Sequence, residues 1–139
     1  MYNRILLAAD GSENSIRAAK EAVKIASFAE GTVVEIVFVI DYSKGSKEVL
    51  QSKDAETMDV ERRKKLLPIE EMFNQANITY KVTLLHGDPG SVIVEYVNKL
   101  SCDMVVMGSR GLNALQEMVL GSVSHKVAKD AKCPVLIVK

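Results

Sequence analysis

Residues 104–111 read Met-Val-Val-Met-Gly-Ser-Arg-Gly, and this stretch contains the pattern that decides the fold. A short apolar run with β-branched residues stops at a glycine, which is typical of a buried strand that ends in a turn. Five runs of this kind occur along the chain, at Ile5–Ala9, Val33–Ile40, Thr79–Leu85, Met104–Met107 and Val135–Val138. Each run is long enough for a strand and too short for an independent helix. We therefore predict five buried, parallel strands.

Segments with helical periodicity lie between these runs. The segment Ser15–Glu30 repeats apolar side chains at helical spacing, and we expect this helix to stop at Gly31. A second pattern extends from Leu66 to Ala76. Because Pro68 lies inside that pattern, we expect a kink or a restart of the helix there.

Two further helices complete the alternation of strands and helices. One begins at Asp88-Pro89, where aspartate can cap the helix and proline suits its first turn, and it extends to Leu100. The other covers Ser122–Asp130 and ends before Pro134. This alternation predicts an α/β fold, a five-stranded parallel sheet with helices on both faces, within a single domain of residues 1–139.

The bulk composition excludes several classes of function. Eighteen lysine and arginine residues balance eighteen aspartate and glutamate residues, so no net positive field attracts nucleic acid. The two cysteines, Cys102 and Cys133, have neither metal-site spacing nor the density of a secreted disulfide scaffold. There is no signal-peptide pattern at the start and no apolar run of membrane-spanning length. We therefore expect a cytoplasmic protein that binds neither nucleic acid nor membrane.

The loop after the fourth strand is the strongest indication of a ligand. Open parallel sheets bind ligands at the carboxyl ends of their strands, and here Gly108 and Gly111 are followed nine residues later by Gly121-Ser122. Glycine lets a ligand approach the backbone closely. Arg110 between the first two glycines can donate to a phosphate oxygen. The alternative is a tight turn followed by an ordinary capped helix.

A helix start adds a second phosphate-binding element. The first turn of a helix has unpaired N–H groups and a partial positive charge, which suit an anion. The predicted start offers amides and hydroxyls from Gly121, Ser122, Val123 and Ser124. The sequence therefore predicts that phosphate is held by local groups, since net charge cannot hold it.

On these residues the chain resembles the ATP-binding branch of the universal stress protein family. Gly108-x-x-Gly111, nine residues and then Gly121-Ser122 match the family motif G-2x-G-9x-G-[S/T]. The segments Ile5–Ser12 and Cys133–Val138 resemble the family's first strand with its aspartate and its last strand, so essentially all 139 residues are covered. The resemblance implies a Rossmann-like fold, similar to adenine nucleotide alpha hydrolases, with strand order 3-2-1-4-5.

The resemblance also implies which residues hold the nucleotide. Asp10 would lie near the ribose and phosphates, and main-chain atoms of Val39 would bind the adenine edge. The other positions fall into two groups, with Ala8, Ala9 and Met107 lining the adenine and Gly108, Arg110, Gly111, Gly121, Ser122, Val123 and Ser124 around the ribose and phosphates. Taken alone, Asp10 has a second interpretation as the cap of the first helix. Mg²⁺ would accompany ATP, with its ligands unassigned.

The residues favour binding over catalysis. A conventional P-loop is excluded because Leu120-Gly121, and not a lysine, precede Ser122. No pair of residues presents itself as an activated base, so no catalytic residue is assigned and any ATP hydrolysis would be slow. Our hypothesis is an ATP-dependent regulatory or stress-response module whose nucleotide orders the loop Tyr42–Glu56. The alternatives are a nucleotide-independent homodimeric interaction protein and a true ATPase or phosphotransferase.

The last strand suggests how two copies would associate. In the strand order implied by the resemblance, Val135–Val138 forms an edge of the sheet and contains neither proline nor charge. An exposed edge of this kind is a surface for association. We therefore expect a homodimer in which this strand pairs across a two-fold axis.

Overall fold

A computed structural model describes residues 2–41, 60, 61, 63–110 and 120–139. These residues contain one parallel sheet of five strands, in the order β3-β2-β1-β4-β5. The strands are β1 (Arg4–Ala8), β2 (Val33–Ile40), β3 (Thr79–His86), β4 (Met104–Gly108) and β5 (Val135–Val138). Both the parallel sheet and its strand order are confirmed.

The described residues include four helices that lie between the strands. They are α1 (Glu13–Ala26), α2 (Leu67–Gln75), α3 (Pro89–Leu100) and α4 (Ser122–Asp130). Side chains of α1 and α2 pack on one face of the sheet, against Ile5, Leu7 and Ile36, and form the larger core. Side chains of α3 and α4 pack on the other face, against Leu6 and Val37. The helices therefore cover both faces, as predicted.

Helix α1 is displaced toward the N-terminus relative to its predicted bounds. It begins one residue after Ser12, whose hydroxyl oxygen accepts a hydrogen bond of 3.2 Å from the Ser15 N–H. It ends at Ala26, so the prediction that it continues to Glu30 and stops at Gly31 is wrong. Beyond Ala26 the chain has no apolar face to bury, and the side chain of Phe28 is 87% exposed.

Helix α2 begins beside Pro68, and the predicted restart is confirmed. Proline lies in the first turn, where its missing N–H leaves no helical hydrogen bond unmade. Helical residues also precede it, and a turn at Lys65-Leu66 separates the two. The side chains of Leu66, Ile69 and Phe73 are fully buried against the sheet.

The end of β4 is hydrogen-bonded to its neighbours through a single residue, Ser109. The Ser109 N–H donates to the Val138 carbonyl at 2.9 Å, which extends the β4–β5 ladder by one bond. The Ser109 carbonyl accepts from the Gly121 N–H at 2.8 Å. The end of β5 and the start of α4 are thus fixed to the same point.

Two sequence-based predictions fall on residues that the structure does not describe. These are the predicted loop Tyr42–Glu56 and the motif residue Gly111.

In the described part of the chain, no helix combines the length and apolar character needed to cross a bilayer.

Candidate functional site

A cavity of about 280 Å³ opens at the carboxyl ends of β1, β2 and β4. Strand β1 lies in the middle of the sheet, with β2 on one side and β4 on the other. The direction in which successive strands are added therefore reverses between β1 and β4. Open α/β sheets bind their ligands at such switch points. The described lining consists of Ala8, Ala9, Asp10, Ser15, Val37, Val39, Asp41, Pro89, Ile93, Met107, Gly108, Arg110, Gly121, Ser122, Val123 and Ser124.

The predicted site residues come together at this cavity. Every one that the structure describes lies in its lining: Ala8, Ala9, Asp10, Val39, Met107, Gly108, Arg110, Gly121, Ser122, Val123 and Ser124. They come from β1, β2, β4 and α4 and are separated by more than a hundred positions in the sequence. Their roles toward a ligand stay predictions.

The apolar wall of the cavity is formed by small and branched side chains. Ala8, Val37 and Met107 are almost fully buried on the face of the sheet that carries α3 and α4. Ile93, one helical turn beyond Pro89 in α3, closes this wall from above the sheet. A wall without charge and with alanine at its centre suits a flat, largely apolar ring.

Main-chain groups of Val39 face the cavity. The Val37 carbonyl accepts a hydrogen bond of 2.9 Å from the Ala9 N–H, so the peptide groups of Val37 point toward β1. Peptide directions alternate along a strand, so the groups of Val39 point the same way. Because β1 ends at Ala8, these groups meet the cavity instead of a neighbouring strand.

The N-terminus of α4 presents uncapped amides to the cavity. Side chains of Ser12 and Asp88 cap α1 and α3, but no side-chain hydrogen bond caps α4 within the described residues. A helix leaves its first N–H groups without intrahelical partners. Since α4 starts at Ser122, those groups lie along the cavity lining.

The two described motif glycines are used differently. A Cβ on Gly108 would lie 2.7 Å from the Asn14 Cβ, so this glycine permits α1 to pack directly on the end of β4. Gly121 has φ −62° and ψ 157°, which any residue can adopt. Neither backbone is left-handed, so a turn conformation does not explain either glycine.

Ser124 differs from the other residues of the α4 start. Its side chain is buried, and its hydroxyl donates a hydrogen bond of 2.7 Å to the Gly108 carbonyl. The hydroxyl is thus engaged as a donor here, and its role toward a phosphate stays a prediction. Ser122, by contrast, is exposed at the mouth of the cavity.

Asp10 supports the turn between β1 and α1. One of its carboxylate oxygens accepts a hydrogen bond of 2.9 Å from the Ser12 N–H, across Gly11 with φ +83°. The cap of α1 is Ser12, so the interpretation of Asp10 as the cap is wrong. Asp10 also lines the cavity, and its contact with a ribose stays a prediction.

Five lining residues were not among the predicted site residues: Ser15, Val37, Asp41, Pro89 and Ile93. Val37 lies two positions before Val39 and therefore on the same face of β2, a signal that alternation could have supplied. Asp41 directly follows β2, so the rule that ligands bind at strand ends could have found it. The contribution of α3 depends on how that helix packs over the sheet.

The cysteines lie away from this cavity and are poor nucleophiles. Burial raises the pKa of the Cys102 thiol to about 11, and the neighbouring Cys133 and Glu35 add to the effect. Burial also raises the pKa of Cys133. A thiol with a raised pKa has little reactive thiolate at neutral pH. Within the described ranges, no cluster of three histidine, cysteine or acidic side chains forms a metal site.

The fold and the cavity together identify the general class of protein. A doubly wound parallel sheet with a cavity over its switch point defines an α/β domain of the type in which ligands bind at that point. The family follows from the sequence, because the model of the universal stress protein family matches residues 1–139. The chain belongs to this family.

Individual relatives agree with this assignment. A universal stress protein of Methanocaldococcus jannaschii is 34% identical over 146 residues, which cover 100% of this chain and 83% of the relative. A solved structure described as a test case of structure-based functional assignment has a TM-score of 0.85 at 29% identity, covering 100% of this chain and 96% of that one. A universal stress protein solved in complex with cAMP has a TM-score of 0.70 at 24% identity, covering 99% and 96%.

Proposed function

We propose that this protein binds ATP, with Mg²⁺, in the cavity at the switch point and acts as a nucleotide-dependent regulatory module in a stress response. One observation carries the proposal. The uncapped N-terminus of α4 and the main-chain groups of Val39 line the same cavity. The first suits phosphate and the second suits the hydrogen-bonding edge of a base.

The phosphate end would be held mainly by backbone. Amides of Ser122 and Val123 and the partial positive charge of the helix end favour an anion there. Arg110 lines the cavity beside them and supplies a charged donor. Gly121 needs no special backbone conformation, so its missing side chain is explained best by a ligand that approaches this peptide closely.

The base end would be held by shape and by two peptide groups. Ala8 and Met107 would contact the faces of the adenine, and the N–H and C=O of Val39 would pair with its edge. Asp10 would accept from a ribose hydroxyl. The same fold holds cAMP in a relative, which supports an adenine nucleotide as the class of ligand.

Magnesium would enter with the nucleotide. Mg²⁺ prefers oxygen ligands, keeps several waters and is commonly shared between one or two carboxylates and the phosphates. Asp10 and Asp41 place carboxylates in the lining, and they are the acidic side chains that fit this role. The ion would neutralise phosphate charge next to Arg110 and α4.

Any hydrolysis of ATP would be slow. The described lining contains two carboxylates and an arginine but no histidine, cysteine or lysine that could act as an activated base. The protein would therefore use nucleotide occupancy as a signal. We place this function in the cytoplasm, in agreement with two free cysteines.

Two copies would associate through β5. This strand lies at one edge of the sheet, next to β4, and its side chains are half-buried on both faces. An edge strand has unpaired peptide groups on its outer side, which a second copy can satisfy by antiparallel pairing. Size-exclusion chromatography with light scattering at micromolar concentration should give the mass of a dimer, and a monomer would contradict this part.

The first experiment is to denature the purified protein and identify the released nucleotide by chromatography. Calorimetry then compares ATP binding by the wild type and Gly121→Val, whose side chain would obstruct the phosphate amides. Ala131→Val, at the other end of α4, is the matched control for adding a branched side chain to this helix. Loss of binding in Gly121→Val alone supports the proposal. A wild type that binds no adenine nucleotide favours the nucleotide-independent interaction protein.

A further inference from the structure

Asn14 is a buried polar side chain with hydrogen bonds at both ends of its amide. It lies in the first turn of α1 with 8% of its surface exposed. Its Nδ2 donates a hydrogen bond of 3.1 Å to the carbonyl of Arg110, a residue 96 positions away in the sequence. Its Oδ1 accepts from the Arg17 guanidinium one turn later in the same helix. Satisfying both ends fixes the orientation of the amide.

The backbone around Asn14 is held at the end of β4. Gly108 leaves so little space that a Cβ there would lie 2.7 Å from the Asn14 Cβ and 3.0 Å from its carbonyl carbon. The first turn of α1 therefore rests directly on the last residue of the strand. From this fixed position the Asn14 side chain reaches the carbonyl two residues beyond the strand end.

Arg17 strengthens the arrangement from the other side. Its Nε donates a hydrogen bond of 3.0 Å to the carbonyl of Lys139, just after β5. The Arg17 guanidinium thus links the Lys139 carbonyl to the Asn14 Oδ1. The Asn14 Nδ2 in turn donates to the Arg110 carbonyl. The peptide of Arg110 is held against α1 at the rim of the cavity.

We propose that Asn14 is a positioning residue that sets how strongly the site prefers nucleotides with several phosphates. Asn14 does not line the cavity and acts through Arg110, which does. By fixing the Arg110 carbonyl, it fixes the point from which the guanidinium extends toward the phosphate chain. A guanidinium favours the phosphate chain with more negative charge, so the contribution of Arg110 would be greater for ATP than for AMP. This inference rests on the proposed function.

The test compares ATP and AMP binding by calorimetry in wild type and Asn14→Asp. The aspartate has the same size, so it preserves the contact with Gly108 and still accepts from Arg17. It replaces the Nδ2 donor with an oxygen that repels the Arg110 carbonyl. A positioned charged hydrogen bond is worth about 1.5 kcal/mol. We therefore expect ATP affinity to fall about tenfold while AMP affinity changes by less than about twofold.

Asn98 provides a matched control. It also donates from Nδ2 to a main-chain carbonyl, that of Asp130, at 3.3 Å and accepts from the Lys132 N–H at 2.9 Å. These contacts join the ends of α3 and α4 and involve none of the cavity lining. Asn98→Asp makes the same chemical change to an asparagine that bridges two main-chain groups. It should leave the ratio of ATP to AMP affinity unchanged.

A double-mutant cycle separates positioning from general destabilisation. Arg110→Gln should lower ATP affinity, and adding Asn14→Asp to it should cost almost nothing more, because the group that Asn14 positions is gone. Additive losses, or equal losses for ATP and AMP, would overturn the inference. If the wild type binds neither nucleotide, the proposed function itself fails and the selectivity role falls with it. If the wild type binds ATP and Asn14→Asp leaves its preference unchanged, only this inference fails.

Discussion

The Ser124 hydroxyl donates a hydrogen bond of 2.7 Å to the Gly108 carbonyl, so the first turn of α4 is fastened to the last residue of β4. Strand and helix both end at the cavity, and this bond sets their separation. Ser122, two residues earlier, is exposed and lines the cavity without this contact. The two serines of one helical turn therefore have different roles.

Alanine substitutions should separate these two serines. Ser124→Ala leaves the buried Gly108 carbonyl without its partner, which costs about 1–3 kcal/mol of unfolding free energy. Ser122→Ala should change stability by less than about 0.5 kcal/mol and weaken nucleotide binding instead. Urea denaturation and calorimetry on both variants measure the two effects. Equal stability losses would contradict this division.

The stability effect of replacing a glycine by alanine should depend on whether the atoms next to the new Cβ can move. Gly108→Ala places a Cβ against the Cβ and main chain of Asn14, so α1 must move and about 1–3 kcal/mol of stability should be lost. Gly90→Ala meets the Cγ of Lys126 at 3.0 Å and its Cβ at 3.1 Å, so α4 must give by a few tenths of an ångström. Alanine is the better helix former by about 1 kcal/mol, which offsets that cost. Thermal unfolding should show a large drop for the first variant and almost none for the second.

A buried carboxylate joins β2 to α3. Glu35 is 1% exposed and accepts hydrogen bonds from Thr83, at 2.9 Å, and from the Tyr96 hydroxyl. Lys81 lies 3.5 Å from its other oxygen, which has no hydrogen-bond partner among the described residues. Burial, followed by the bond to Glu35, raises the pKa of Tyr96, so the phenol stays a donor at neutral pH.

Removing the Tyr96 hydroxyl should therefore cost more stability when residue 35 is a glutamate than when it is a glutamine. Tyr96→Phe leaves the carboxylate with one donor fewer and should cost about 2 kcal/mol. In a Glu35→Gln background the same change should cost about half as much, because an amide is less expensive to leave unpaired. Urea denaturation of the four proteins gives the coupling. A coupling near zero would show that the hydroxyl does not stabilise the charge.

Asp103 makes stability depend on pH in the acid range. Hydrogen bonds from the backbone N–H groups of Arg4, at 2.9 Å, and Asn3, at 2.8 Å, lower the pKa of this carboxyl. A lowered pKa in the folded state means that the stabilisation is complete above the ordinary aspartate value of about 3.9. It is lost as the pH falls through the folded value.

Asp103→Asn should accordingly cost more stability at pH 7 than at pH 2. The loss at pH 7 should be about 1 kcal/mol, since the site is partly open to solvent. Glu95→Gln, an exposed carboxyl on α3, is the charge-matched control. Denaturation curves at both pH values measure the difference. A loss that persists unchanged at pH 2 would exclude a role for the ionised carboxylate.

The central strands could be predicted because runs such as Ile5–Ala9 are apolar throughout, which is typical of strands buried on both faces. The edge strands β3 and β5 are only partly buried. The rule that ligands bind at strand ends indicated the loop after β4, and the family resemblance supplied Ala8, Ala9, Val39 and Met107, which line the same cavity. The predicted end of α1 was wrong because helix propensity continues past Ala26, whereas the surface on which the helix packs does not.

Other features depend on contacts that no local pattern contains. Asn14 and Arg110 are 96 positions apart, and nothing in either neighbourhood indicates that one holds the other. Ser124 was predicted from its place at the start of α4, and its hydrogen bond to a carbonyl in β4 could not be found from that local pattern. Glu35 interrupts an apolar strand, and its partners come from β3 and α3.

Ser109 joins two parts of the molecule, since its N–H donates to the Val138 carbonyl and its carbonyl accepts from the Gly121 N–H. These two groups lie in adjacent peptide planes that meet at the Ser109 Cα, so a shift of the β5 edge can reach the start of α4 through only the φ and ψ angles of this one residue. The backbone of residue 109 is therefore the shortest connection between the edge of the sheet and the mouth of the cavity.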